Sequence, residues 1–196
     1  MTAASVSNDK ISDSELVGRA LRGDDGAFRV LVERYESAVA STVIGMLGPG
    51  DEADDVGQET FIRFHRSMKK YRGDASLKTY LTRIAINLSL NALKRRRGLM
   101  ERFVSRDQAT APLPEPALNG VGTVESRETK EAVQHAIQQL SPKHRAVIVL
   151  RMIDGYSTKE AAEILGVPSG TVLSRLARAM DALKPMLQPY ASGYDT

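Results

Sequence analysis

The 196-residue chain contains no cysteine and no tryptophan, and only 5% of its residues are aromatic. Without cysteine it can form neither a disulfide bond nor a thiolate metal site. Its three histidines, His65, His135 and His144, are too far apart in the sequence to match a zinc-binding spacing. We therefore expect the protein to use no metal and no cofactor.

Long apolar runs are absent as well. No stretch approaches the roughly 18 apolar residues that a membrane-spanning helix needs. The N-terminal segment MTAASVSNDKISDSE has no apolar core of signal-peptide length. We expect a cytoplasmic protein. The sequence also shows no nucleophile–base constellation and no phosphate-binding loop, so an enzyme is the least favoured class.

The residues that are present favour helices. Apolar residues make up 42% of the chain, alternating β-type runs are scarce, and Ala, Leu, Arg, Glu and Lys are common. The segment QATAPLPEPALNGVGT, with three prolines and two glycines, has no helical periodicity and is typical of an extended, flexible linker. These patterns predict an all-α protein with two small helical domains, residues 1–97 and 126–190, joined by a linker over residues 98–125.

Charge is distributed unevenly along the chain. Residues 63–106 contain thirteen Lys or Arg and two acids, whereas DEADDVGQE, residues 51–59, contains five acids. This asymmetry indicates one anionic and one cationic partner; the alternative is a pair of solvated helix faces. The five acids lie along one helix start and do not converge as cation ligands do, which disfavours a metal site there.

The helix predicted over residues 76–97 has a polar side and a cationic end. Its last four residues, 94–97, are all Lys or Arg. Residues three or four apart in a helix share one face. That face therefore combines an aromatic ring, two amides and cations, contributed by Tyr80, Arg83, Asn87, Asn91 and Lys94.

The C-terminal segment predicts a helix-turn-helix. Ser157 followed by Glu160 is a capping-box pattern, and Gly166 is placed to end the first, short helix. Ala162, four residues before this glycine, lets the helices cross closely, and Val172, six residues after it, packs the second helix back onto the first.

The outer face of the second helix carries hydroxyl and guanidinium groups. These groups can reach phosphates and base edges. They belong to Ser169, Thr171, Ser174, Arg175 and Arg178. The alternative is a helical hairpin within a bundle whose basic face is merely solvated.

Three segments, in this order, resemble the sigma-70 family of bacterial RNA polymerase sigma factors, in its small ECF (extracytoplasmic function) group. They are DDVGQETFIRFHRSM, YRGDASLKTYLTRIAINLSLNALKRRR and LSPKHRAVIVLRMIDGYSTKEAAEILGVPSGTVLSRLARAMDAL. The resemblance covers nearly the whole chain. It implies a promoter-specificity subunit without an active site of its own, whose partners are core RNA polymerase, promoter DNA and an anti-sigma factor.

The resemblance also assigns roles to the two domains. Residues 1–97 resemble region 2, which holds the polymerase clamp and opens the −10 element, and residues 126–190 resemble region 4, which reads the −35 element. The implied −10 contacts are Tyr71, Lys78, Tyr80, Arg83, Asn87, Lys94 and Arg95. The implied −35 contacts are Arg151, Ser169, Thr171, Ser174, Arg175 and Arg178. The implied polymerase contacts are Asp54, Asp55, Gln58 and Glu59.

Within the −10 set, Tyr71 matches the family's loop aromatic before RGD, in a loop thought to form a pocket for a flipped-out base. Asn87 matches an asparagine that lines this pocket, and the cations would hold phosphates. The alternative for Tyr71 and Tyr80 is core packing with an exposed hydroxyl. The alternative for Asn87 is an ordinary amide on a helix surface.

Three positions depart from the family pattern. Tyr80 stands where Trp is usual, which weakens stacking at that position. Gly57 replaces a larger apolar residue and would loosen the clamp-binding helix. Leu173 replaces an Arg, which removes one contact to the −35 element.

Two other functions compete with a promoter-specificity subunit. A decoy that sequesters an anti-sigma factor would need neither the cations at 94–97 nor an arginine-bearing recognition helix. A self-sufficient helix-turn-helix repressor would leave the acidic helix and the first domain without a role.

Overall fold

The computed structural model of the protein describes residues 11–104 and 124–191. These residues form helices and turns and contain no strand, which confirms the all-α prediction. The first domain consists of α1 (Asp13–Leu21), α2 (Asp25–Leu47), α3 (Asp51–Ser67), a 3₁₀ turn (Met68–Lys70) and α4 (Leu77–Val104). The second domain consists of α5 (Val124–Gln139), α6 (Pro142–Ile148), a π turn (Val149–Ile153), α7 (Thr158–Leu165) and α8 (Ser169–Ala191).

Side-chain caps fix several helix starts. At α1, the Ser12 hydroxyl accepts a hydrogen bond from the Glu15 amide at 3.2 Å. At α7, Ser157 and Glu160 form the predicted capping box, with the Glu160 amide donating to the Ser157 hydroxyl and the Ser157 amide donating to the Glu160 carboxylate. The predicted start of α7 is confirmed.

The predicted end of α4 is wrong by seven residues. We expected the helix to stop at Arg97, before a linker starting at 98, but α4 continues to Val104. Arginine is a good helix former and a glycine inside a helix costs only about 1 kcal/mol, so Gly98 is not a sufficient stop. Arg96 also pairs with Glu52 on α3, which holds this turn against the domain. The rest of the predicted linker, residues 105–123, lies outside the described residues.

The core of the first domain forms around α2, which contacts α1, α3 and α4. Its largest fully buried side chains include Leu31, Phe64, Leu81 and Ile86. Phe64 is completely buried, while Phe61 is only partly buried against the same cluster. No described helix combines the length and apolar character that a membrane span requires.

The helix-turn-helix has the predicted turn and packing. Gly166 adopts a left-handed conformation, with φ 64°, and its amide donates to the Ala162 carbonyl, which ends α7. Val172 and Ala179 on α8 are completely buried. These inward positions confirm the predicted crossing of α7 and α8.

The two domains are packed together. Helix α4 contacts α7, and α2 contacts α5, α6 and the π turn. One buried apolar cluster includes first-domain residues such as Val43 and Leu81 and second-domain residues such as Val149, Ala161 and Val172. The sequence predicted two domains but not a shared core.

Candidate nucleic-acid interface

The polar stripe on α4 lies on one accessible face. Tyr80 and Arg83 are partly buried, whereas Asn87, Asn91 and Lys94 are exposed. Arg95 is also exposed. The structure therefore brings six of the seven predicted −10 residues onto one helix, α4, with its amide and cationic portion open to solvent.

An open cleft of about 300 Å³ lies between this stripe and α3. It is lined by Arg63, Arg66, Ser67, Ile84 and Asn87. The two guanidiniums suit the phosphates of a nucleic-acid backbone. The amide and the apolar side chain suit a flat base. Sequence reasoning placed Asn87 here but missed Arg63, Arg66 and Ser67. Their position on one side of α3, where the cation-rich segment 63–106 begins, could have identified them as part of the site.

The two tyrosines near the cleft are packed against the protein. Their ring centroids lie 5.3 Å apart in an edge-to-face arrangement, and Tyr80 also meets Phe64 edge-to-face at 6.1 Å. The Tyr80 hydroxyl donates to Ser67 and the Tyr71 hydroxyl to the Ala75 carbonyl. Burial, followed by the nearby Asp13 carboxylate, raises the pKa of Tyr71. Core packing, the alternative role for these two tyrosines, therefore accounts for much of both rings. Their contact with DNA stays a prediction.

Two of the predicted −10 cations lie against the second domain. The Lys78 ammonium sits 5.2 Å from the centre of the Tyr156 ring, a cation–π geometry. The Arg83 guanidinium donates from Nη2 to the Glu163 carbonyl of α7 at 3.1 Å. The helix-turn-helix domain thus covers the N-terminal part of the α4 stripe.

The outer face of α8 is accessible, as a DNA-reading helix requires. Ser169, Ser174 and Arg178 are exposed, and Thr171 and Arg175 are partly exposed. Leu173 also lies on the solvent side, with 55% of its surface exposed. Arg151 is not on this helix; it is partly buried at the π turn and donates to the Tyr156 carbonyl. Its predicted DNA contact has the least geometric support of the six.

The acidic start of α3 forms a separate surface. Asp54, Asp55 and Gln58 are exposed, and Glu59 pairs with Arg63 one turn away at 2.9 Å. Within residues 11–104 and 124–191, no three His, Cys, Asp or Glu side chains are grouped as a metal site would require. This surface therefore presents exposed negative charge, separate from the basic stripe.

A basic helix face beside an open cleft, together with an accessible helix-turn-helix, defines a two-domain helical DNA-binding protein. Comparison with known proteins agrees. Residues 31–98 match the family model described as "Sigma-70 region 2", and residues 130–183 match "Sigma-70, region 4".

Curated relatives match over almost the whole chain. RNA polymerase sigma-H factor of Pseudomonas aeruginosa is 36% identical over 182 residues, covering 90% of this chain and 94% of the relative. The ECF RNA polymerase sigma-E factor of Escherichia coli strain K12 is 36% identical over 187 residues, covering 93% and 97%. Among solved structures, CnrH in complex with the cytosolic domain of CnrY is 26% identical, with a TM-score of 0.63 over 90% of this chain and 97% of that one.

The chain belongs to the sigma-70 family, in its ECF group. It is a sigma factor, a DNA-binding regulator that directs transcription initiation at promoters.

Proposed function

We propose that this sigma factor recognises a promoter with two separate surfaces, one for duplex DNA and one for unpaired bases. The observation that carries the proposal is that two basic, accessible faces lie on different domains. One is the α4 stripe with its cleft at Asn87, and the other is the outer face of α8.

At the −10 element, the α4 stripe binds the melted strand. Arg63, Arg66 and Lys94 supply charge for phosphates, and Asn87 offers an amide to a base edge beside the apolar Ile84. Because the cleft accepts an unpaired base and a paired duplex presents none, binding there shifts DNA toward the open state. The protein therefore performs no bond chemistry in this step; it selects the melted conformation.

At the −35 element, the exposed face of α8 enters the major groove. Arg175 and Arg178 supply guanidiniums, each able to make a bidentate contact worth about 1–3 kcal/mol of discrimination against the wrong base. Ser169, Thr171 and Ser174 contact phosphates, and Leu173 presents an apolar group where a thymine methyl could pack.

Protein partners use the remaining surface. The exposed acids Asp54 and Asp55, with Gln58 and Glu59, bind a basic surface of core RNA polymerase. Because the similar CnrH was solved with the cytosolic domain of CnrY, we expect a protein inhibitor of that kind, an anti-sigma factor, for this chain too. A promoter-directing subunit works beside chromosomal DNA, so we place the protein in the cytoplasm.

Transcription in vitro tests the proposal. Core polymerase is incubated with genomic fragments, with and without the protein, and transcript start sites are mapped. New starts that share paired −35 and −10 motifs are expected. A set of starts that does not change on adding the protein would reject promoter direction and leave the decoy as the better function.

A further inference from the structure

The cleft beside α4 contains a hydroxyl whose hydrogen-bonding capacity is already partly used by the protein. Ser67, the last residue of α3, lines the cleft together with Asn87 and is partly buried. A serine hydroxyl has one proton to donate and two lone pairs that accept. What Ser67 can offer a ligand in the cleft therefore depends on the neighbours that its hydroxyl already bonds.

The Ser67 proton is used within α3. The Ser67 hydroxyl donates to the Phe64 carbonyl at 3.3 Å. Phe64 is one of the last four residues of α3, and the last four carbonyls of an α-helix have no partner inside the helix. Turning the proton toward the cleft would leave this carbonyl without its Ser67 donor, so the proton is favoured where it is.

Tyr80 occupies one of the two Ser67 lone pairs. The Tyr80 hydroxyl donates to the Ser67 Oγ atom at 3.1 Å. The Tyr80 ring meets Phe64 and Tyr71 edge-to-face, with ring centroids 6.1 and 5.3 Å away, so packing fixes the direction of its hydroxyl. With one proton donated and one lone pair occupied, Ser67 retains a single acceptor position for another partner.

We propose that these bonds, from Tyr80 to Ser67 and from Ser67 to the Phe64 carbonyl, make the cleft selective for one class of unpaired base. The class carries an amino group at purine C6 or pyrimidine C4, as in adenine and cytosine, in preference to the keto oxygen of guanine and thymine. The proposal rests on the function proposed above, because it assumes that the cleft receives a −10 base. Ser67 contacts the base, and Tyr80 is a positioning residue that acts through Ser67.

The chemistry of the base edge supports this preference. The amino group of adenine or cytosine is a donor and can bond the remaining Ser67 lone pair, whereas the keto oxygen of guanine or thymine is a second acceptor. Two facing acceptors repel unless Ser67 gives up its bond to Phe64. The ring nitrogen beside the amino group is an acceptor in adenine and cytosine, and the Asn87 amide across the cleft can donate to it.

The test changes this one group on otherwise identical DNA. Holoenzyme is titrated with a promoter whose −10 bases are mismatched and unpaired. At each −10 position in turn, deoxycytidine is compared with deoxyuridine, and deoxyadenosine with deoxyinosine, since each pair differs by an amino group replaced with a keto oxygen. At one position the keto base should bind about three- to tenfold more weakly, as expected for one hydrogen bond. Equal binding of both pairs at every position would overturn the proposal.

Two variants assign the preference to these residues. Ser67→Ala removes the acceptor and should bring the amino and keto bases within about twofold of each other, while Ser67→Thr keeps the hydroxyl and should keep the preference. Tyr80→Phe removes the oxygen that holds Ser67 in place, so Ser67 can turn and donate, and the preference should also fall to about twofold. An unchanged preference in either Ser67→Ala or Tyr80→Phe would overturn the proposal.

Matched controls separate this selectivity from general damage. Ser37→Ala and Tyr190→Phe remove hydroxyls at exposed positions on α2 and α8 and should leave the ratio of amino to keto binding as in the wild type. Should the wild-type holoenzyme bind mismatched and duplex promoters equally, strand capture fails and this inference with it. A retained preference for mismatched DNA without discrimination between amino and keto bases would overturn only the inference.

Discussion

At the scale of single residues, Arg145 is the most unusual group in the structure. It is 6% exposed, yet it pairs with no carboxylate among residues 11–104 and 124–191. Its guanidinium donates to carbonyls at the ends of two helices: Met46 on α2, Gln138 in the last turn of α5 and Leu140 just after it. It also donates to the Gln138 side chain. Burial, followed by the charge of Arg96, lowers the pKa of Arg145 to about 10, so it remains charged at neutral pH. A cation is favoured at a helix C-terminus, and this one serves both domains.

Arg145→Met should therefore lower the free energy of unfolding. Methionine fills much of the volume but removes the Arg145 donor from three carbonyls, two of them in buried hydrogen bonds, which costs about 2–4 kcal/mol in total. Urea unfolding followed by circular dichroism measures the change. Lys143→Met, at an exposed position on the same helix, should change it by less than about 0.5 kcal/mol. Equal stability of the two variants would show that Arg145 is not a structural support.

Asn87 is the residue on which base selection at −10 most depends. Asn87→Ala should reduce discrimination at one position of the −10 element by about 1–3 kcal/mol, because the cleft loses the side-chain amide that lines it. Initiation from a promoter library randomised at −10 gives the measurement. Ser37→Ala, at an exposed polar position on α2, should leave the preferences unchanged. A uniform loss at all −10 positions would argue that Asn87 contacts only the backbone.

At the scale of elements, α7 and α8 follow directly from local sequence chemistry. The capping box, the left-handed glycine and the buried valine each depend on residues within about fifteen positions of one another. For this reason the sequence predicted this unit well. The end of α4 was not predictable in the same way. Local sequence suggested a stop at Arg97, but the ion pair between Arg96 and Glu52 on α3 holds this turn in the helix.

Gly166→Ala tests the turn between these helices. Alanine in the left-handed conformation costs about 1–2 kcal/mol, so the free energy of unfolding should fall by that amount. Gly170→Ala is the matched control, since its Cβ would have no atom within 4 Å and its backbone is helical. Equal effects of the two substitutions in urea unfolding would mean that the positive φ at Gly166 is not retained in solution.

A separate prediction concerns Arg175 on the outer face of α8. Arg175→Ala should weaken binding of the holoenzyme to a promoter by about 1–3 kcal/mol and relax selectivity within −35, because a base contact is lost. Lys184→Ala, an exposed cation further along the same helix, serves as the control. Gel-shift titration against −35 variants measures both. If the two variants lose affinity alike and keep their selectivity, Arg175 acts only as charge.

At the scale of the whole molecule, the arrangement of the domains was beyond sequence reasoning. The bonds from Asp154 to Ser41 and Thr42 join residues more than 100 positions apart, and the π turn that directs Asp154 has no local signature. Charge asymmetry and family resemblance nevertheless predicted three surfaces, and the structure leaves part of each exposed on a helix: the amide and cationic part of the α4 stripe, the outer face of α8 and the acidic start of α3. Their roles in binding stay predictions.

The most direct measurement compares the affinity of the holoenzyme for two forms of one promoter, a full duplex and the same DNA with mismatched, unpaired −10 bases. We predict tighter binding to the mismatched form, with Asn87→Ala reducing this preference and Arg175→Ala weakening both forms equally. Equal affinity for the two DNAs would contradict capture of the melted strand by the first domain. It would then also contradict the assignment of unpaired bases to one domain and duplex DNA to the other.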